Sequence, residues 1–159
     1  MSRKLSSFRR RSWQERLLVA RAALLLAVVR VALRLFPFHT VQRMAGRLAR
    51  SGRDHGAPQE AGDQILWALS AASRVLPGGA TCLTQALAGY VWLGRKGRPA
   101  DLRIGVARGS GGRLLAHAWL QSGDRMVLGH IGAEHERYTP LAAFRAPTTD
   151  SGGSIDVRH

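Results

Sequence analysis

The sequence predicts an α+β fold, with helices packed on one small antiparallel sheet and a helical extension at the N-terminus. Three observations predict it. Apolar residues recur at helical spacing as far as Gly94, the period changes to two after Lys96-Gly97-Arg98-Pro99, and the runs that follow are joined by Gly-containing turns that suit antiparallel neighbours. At 159 residues and 45% hydrophobic, the chain can bury one real core but not two.

The first helix is expected over Trp13–Phe36. Arg9-Arg10-Arg11 ahead of it imitates a signal peptide or membrane anchor, but Glu15, Arg16, Arg21, Arg30 and Arg34 interrupt the apolar run. The longest uncharged stretch, Ala22–Val29, is far too short to span a bilayer. At about 100° per residue Arg16, Arg30 and Arg34 fall on one side, and Leu17, Leu24, Leu25, Val28, Ala32 and Leu35 on the other. This is an amphipathic helix expected to pack on the domain, with contact to a membrane surface the lesser alternative. Arg21 falls within the apolar face, where an unpaired charge is costly, so it should meet a carboxylate, a carbonyl or a partner protein.

Pro37 ends that helix, a second is expected around Val41–Ser51, and Gly52–Pro58 is a loop by composition. Gln59–Val75 reads as a third, with Ile65, Leu66, Leu69 and Ala72 at helical spacing. Pro77-Gly78-Gly79 breaks the chain, Thr81 is a good N-cap, and Cys82–Gly94 forms a fourth helix on the apolar face of Leu83, Leu87, Val91 and Trp92. Strands follow at Asp101–Arg108, Arg113–Gln121 and Arg125–Ile131. If Gly123-Asp124 make the turn, Ser122 faces Arg125 and a regular register sets His117 opposite His130, on the face of Trp119 and Leu128. The other face then carries Ala116, Ala118, Leu120 and Val127. Residues 1–55 thus form a basic helical region and 56–145 a catalytic domain, with 146–159 a polar tail expected to be disordered.

The formal charge of +14 comes from 24 basic against 10 acidic residues and is densest near the N-terminus. Such a surface seeks anions. No helix-turn-helix pattern, zinc finger or aromatic platform accompanies the arginines, so nucleic acid is not the expected partner. A single cysteine excludes an intramolecular disulfide framework and points to a reducing cytoplasm, with contact at the membrane periphery as the lesser variant. With no HExxH or CxxC among the six histidines and one cysteine, neither metal nor cofactor is expected.

Cys82 begins a helix, and His117 follows 35 residues later on a strand. A helix N-terminus and a neighbouring imidazolium both favour the thiolate, the nucleophilic form of cysteine. Free cysteines are among the most buried residues and usually only pack, but the ordered Cys and His pair reverses that preference. Cys82 would attack a peptide carbonyl, His117 would carry the proton to the leaving amine, and water would resolve the thioester. Backbone N–H groups at the helix start would hold the oxyanion. Trp119 is expected to pack beneath the site.

Thr81-Cys82-Leu83-Thr84-Gln85-Ala86-Leu87, Arg95-Lys96-Gly97, Leu102-Arg103-Ile104-Gly105-Val106, Ala116-His117-Ala118-Trp119-Leu120 and Tyr138-Thr139-Pro140-Leu141, in this order, resemble the lasso-peptide leader peptidases, small members of the transglutaminase-like superfamily. The likeness covers roughly 60–145, and Leu35-Phe36-Pro37-Phe38 is similar to that family's N-terminal region. It implies a transglutaminase-like cysteine protease fold and removal of a leader from a ribosomally made precursor peptide. It also implies a separate leader-recognition protein and an ATP-dependent lasso cyclase as partners. The basic N-terminus with Arg21 is the candidate docking surface. The family is expected to place an Asp on the strand after the histidine. This chain has His130 there, and Asp124 belongs to the turn. His130 is the preferred orienting residue, with Glu134, or a plain Cys82–His117 dyad, as alternatives. Transglutaminase-like acyl transfer and a non-catalytic basic binding module are the other functions compatible with the chain.

Overall fold

The computed structural model describes residues 13–51, 59–98, 100–123, 125–129 and 138–144. His130, Glu134 and Asp124, like the expected tail and the loop before Gln59, lie outside them. Four helices precede a four-stranded sheet: α1 (Trp13–Leu35), α2 (Phe38–Arg50), α3 (Gln59–Val75), α4 (Cys82–Arg95), β1 (Asp101–Arg108), β2 (Leu114–Ser122), β3 (Arg125–Leu128) and β4 (Thr139–Phe144). All neighbouring strands are antiparallel and the order is β3-β2-β1-β4. The α+β expectation holds.

The organising element is α4. Sequence spacing assigned it one apolar face, yet Thr84, Ala86 to Val91 and Leu93 are all buried, because α1, α2 and α3 pack around it and the sheet closes the remaining side. Small residues permit that crowding. A Cβ on Gly89 would stand 2.6 Å from Leu120 Cδ1 and 3.0 Å from Leu128 Cδ2, so the helix backbone rests directly on β2 and β3. Leu26 of α1, Leu69 of α3, Leu87 of α4, Leu102 of β1 and Leu120 of β2 are the largest fully buried side chains of a single core. Burying one such leucine contributes on the order of 2 kcal/mol. Residues of α1 and α2, namely Ala22, Val29, Val41, Ala45 and Ala49, join that core with α3, α4 and the sheet.

The outward face of α1 corrects the sequence reading. Ala22, Leu26 and Val29 are buried, whereas Leu17, Leu24, Val28 and Leu35, expected against the domain, are exposed. This helix is apolar nearly all round, so a one-face reading could not tell which stripe would find the core. Arg21 is exposed and, among the described residues, makes no hydrogen bond or ion pair, so it carries no burial penalty.

A second correction concerns register. Ser122 faces Arg125 and Gln121 faces Met126 as a regular hairpin requires, but Leu120 faces Leu128, a bulge that slips the pairing by one residue. Leu128 therefore joins Leu120 against α4, not the face of His117, and the expected pairing of His117 with His130 lies outside the described residues. β4 had no strand assigned to it. It carries Pro140, is an edge strand, and pairs with β1 through a further register shift at Ile104/Gly105.

Candidate active site

The chain before Cys82 is tied down carbonyl by carbonyl. Arg30 of α1 donates from Nη1 to the Pro77 and Gly79 carbonyls at 2.8 and 2.9 Å, and Gln85 Nε2 donates to the Ala80 carbonyl at 3.0 Å. Thr81 then caps α4 as expected, its Oγ1 accepting from Thr84 N at 3.2 Å, while the hydroxyls of Thr81 and the buried Thr84 are 2.8 Å apart. The Thr81 carbonyl accepts from Gln85 N. Of the first four helix N–H groups, those of Thr84 and Gln85 are thus engaged. Those of Cys82 and Leu83 have no partner among the described residues. Cys82 is half-buried at the first position of this helix, beside two free donors and at the positive end of its dipole.

His117 lies in the middle of β2 between two aromatic rings. Trp119 stacks near-parallel, with centroids 6.1 Å apart and an interplanar angle of 14°, and the Tyr138 ring is 5.5 Å away at 48°. Trp119 is buried across β1, where a Cβ on Gly105 would meet its ring at 2.9 Å. As expected, it packs beneath the histidine. Nε2 of His117 is 2.7 Å from the Gly129 carbonyl oxygen. A carbonyl can only accept, so Nε2 carries the proton and neutral His117 presents Nδ1 as its base. Gly129 holds φ of 86°, and a Cβ there would stand 2.9 Å from the Ala118 carbonyl oxygen and 3.1 Å from Trp119 Cα and Cβ. Only glycine fits that position.

Chain direction sets the two residues toward the same end of α4 and β2. The short link from α4 to β1 sets the C-terminal end of α4 beside Asp101, which pairs with Gln121, so α4 and β2 run in the same direction. Measured from the Gly89–Leu120 contact, Cys82 lies seven helical residues back, about 10 Å. His117 lies three strand residues back, again about 10 Å. His117 and Trp119 occupy the face of β2 turned away from Leu120, and among the described residues no hydrogen bond joins Cys82 to His117. β3 ends at Leu128, so at the level of His117 the described sheet leaves that edge of β2 open, and the imidazole leans over it toward Gly129.

Sequence reasoning placed Thr81 as the cap, Cys82 at the helix start, His117 on a strand and Trp119 beneath it, as the structure has them. It gave no site role to Arg30, Gln85, Tyr138 or Gly129. Gln85 and Tyr138 do fall within motifs quoted for the resemblance and Gly129 is a glycine near the end of a strand, whereas Arg30 acts through carbonyl contacts that no short motif encodes.

A family model described as the transglutaminase-like superfamily matches residues 23–143, most of the chain, and the protein belongs to that superfamily. The match begins inside α1 and reaches into β4, so it takes in both Cys82 and His117. Neither the curated proteins nor the solved structures gave a match. No helix among the described residues is long and apolar enough to cross a membrane.

Proposed function

We propose that this protein is a cysteine peptidase that removes the leader from a ribosomally made lasso-peptide precursor before macrolactam formation. The observation that carries a hydrolytic or acyl-transfer chemistry is the half-buried thiol beside two free backbone N–H donors at the start of α4; His117, on the far face of β2 with its Nε2–H held and its Nδ1 left as the base, would reach it over the edge of that strand. Superfamily membership supports the chemistry, and the motifs that resemble leader peptidases support the substrate.

In this reading His117 Nδ1 takes the Cys82 thiol proton as Sγ bonds to the scissile carbonyl carbon. The oxyanion is held by the N–H groups of Cys82 and Leu83, which do not reorganise as charge develops. Collapse to the thioester expels the amine with the proton from Nδ1. Water then adds to the thioester, Nδ1 accepting its proton and returning one to Sγ as the acid leaves. The sequence favours His130 as the orienting residue, with Glu134 or a plain dyad as alternatives. The Gly129 carbonyl already occupies Nε2, so a further side chain is dispensable in the mechanism we favour. A separate leader-recognition protein would present the precursor, and the ATP-dependent cyclase would take the product, all in the cytoplasm.

The test is incubation of the purified protein, with and without the recognition protein, with the precursor and mass spectrometry of the products. A free leader is expected, and Cys82→Ala and His117→Ala should each abolish it. An adduct with an added amine would assign acyl transfer instead. Unchanged precursor, or cleavage surviving either substitution, would reject the peptidase.

A further inference from the structure

The crest of α1 is a built surface that the catalytic reading leaves unused. Leu17, Leu24, Val28, Val31 and Leu35 follow one another at steps of seven, four, three and four residues. Helical geometry puts them, with Trp13, on one outward line about 33 Å long. More than half of Trp13, Leu24, Val28, Val31 and Leu35 is exposed. Arg21 borders this line on one side and Arg16 and Arg34 on the other, all three exposed. From Arg16 to Leu35 the helix holds no acidic residue, and the chain carries a formal charge of +14. The next helix repeats the combination, exposing Met44 and Leu48 between Arg43, Arg47 and Arg50.

We propose that the outward stripe of α1 seats the protein on an anionic lipid surface, lying in the plane of the interface. The opposite side of α1 is locked to the core by Ala22, Leu26 and Val29, so the helix would enter a bilayer by its crest and would not insert across it. An apolar crest, cationic edges at headgroup height and a tryptophan at one end match an interfacial helix in both depth and charge. Arginine side chains reach upward from such a position while their methylenes stay on the apolar layer. A protein partner fits this surface less well, because from Leu24 to Leu35 the crest has no polar group along its centre to fix orientation, the groove shared by Leu17, Arg21, Glu15 and Asp63 lying at its other end. A second copy packed on the same stripe would bring the cationic edges of both chains together.

The experiment is co-sedimentation of the full-length chain with vesicles of phosphatidylcholine alone and of phosphatidylcholine with one quarter phosphatidylglycerol, in 0.1 M salt. Binding at least about tenfold stronger to the anionic vesicles is expected, since each basic residue near such a surface contributes about fivefold. Leu24→Asp combined with Val31→Asp, at exposed positions that leave the core intact, should lower that binding about tenfold or more. Leu114→Asp, at an exposed apolar position on β2, should not change it. Absence of binding to either vesicle would overturn the proposal, as would full binding by the double variant. A dimer in light scattering that the double variant splits would give the stripe to a second copy and overturn it too.

Discussion

Gly129→Ala should disable the site more than it destabilises the fold. At φ of 86° an alanine sits in the left-handed region, which costs about 1–2 kcal/mol. Its Cβ would also lie 2.9 Å from the Ala118 carbonyl oxygen and 3.1 Å from Trp119 Cα and Cβ, atoms that cannot rotate away. The peptide at 129 must therefore move, and the 2.7 Å bond to His117 Nε2 is the contact it gives up, a net loss of about 1 kcal/mol. With the crowding, roughly 2–4 kcal/mol in all is expected, a fall in Tm of about 10 °C for a chain of this size. The catalytic loss should exceed what stability explains. An imidazole free to rotate or to change tautomer forfeits at least the lower end of a general base's contribution, about 10²-fold. Precursor cleavage followed by mass spectrometry, well below the melting transition, measures the rate, and ¹⁵N shifts of His117 report which ring nitrogen holds the proton. Gly94→Ala is the control. Its Cβ would meet Ala49 Cβ at 2.6 Å and destabilise the α2–α4 packing by about 1–3 kcal/mol without touching Leu128, Gly129 or His117, so it should cleave normally when folded. Wild-type cleavage by Gly129→Ala, with Nε2 still protonated and bonded, would refute the orienting role of the carbonyl.

Other expectations follow from the same contacts. If the carbonyl holds His117, then His130→Ala and Glu134→Ala should keep most of the cleavage rate, and a loss in either as large as that of Gly129→Ala would return the orienting role to that side chain. Thr81→Ala removes the cap of α4 and the partner of the buried Thr84 hydroxyl, so urea titration should show a loss of about 1–2 kcal/mol, restored by Thr81→Ser. Arg30→Gln should slow cleavage by loosening the turn ahead of Cys82, and an unchanged rate would show that Gln85 and Thr81 hold that turn alone. Burial holds the Tyr90 phenol above its ordinary value, Arg50 opposing the shift and Asp101 adding to it. A raised value in the folded state means stability that is full below about pH 10 and lost as pH climbs through the folded value. Thermal melts should fall over that alkaline range and Tyr90→Phe should flatten the fall.

Local chemistry was legible and long-range geometry was not. The cap at Thr81, the helix it starts, the Ser122–Arg125 turn and the packing of Trp119 beneath His117 each follow from a few adjacent residues. The stripe that α1 would bury could not be read, because Leu26 and Leu24 are equally apolar and only the positions of α3 and α4 choose between them. β4 was hidden by Pro140, which is tolerated because the strand lies at the sheet edge.

The bulge at Leu120/Gln121 shows how such a gap reaches the chemistry. In a regular hairpin Trp119 would face Leu128, and position 130 would face His117. The slip by one turns Leu128 toward α4, where it packs with Leu120 over Gly89, and brings Gly129 alongside Trp119. There the chain must take a left-handed turn too tight for any Cβ, and the carbonyl at that turn is what His117 Nε2 meets. The core contact of Leu128 and the hydrogen bond of His117 are therefore two consequences of one register. A substitution that restored the regular hairpin would be felt first as an exposed leucine and an unheld imidazole together, although Leu128 and His117 lie on opposite faces of the sheet.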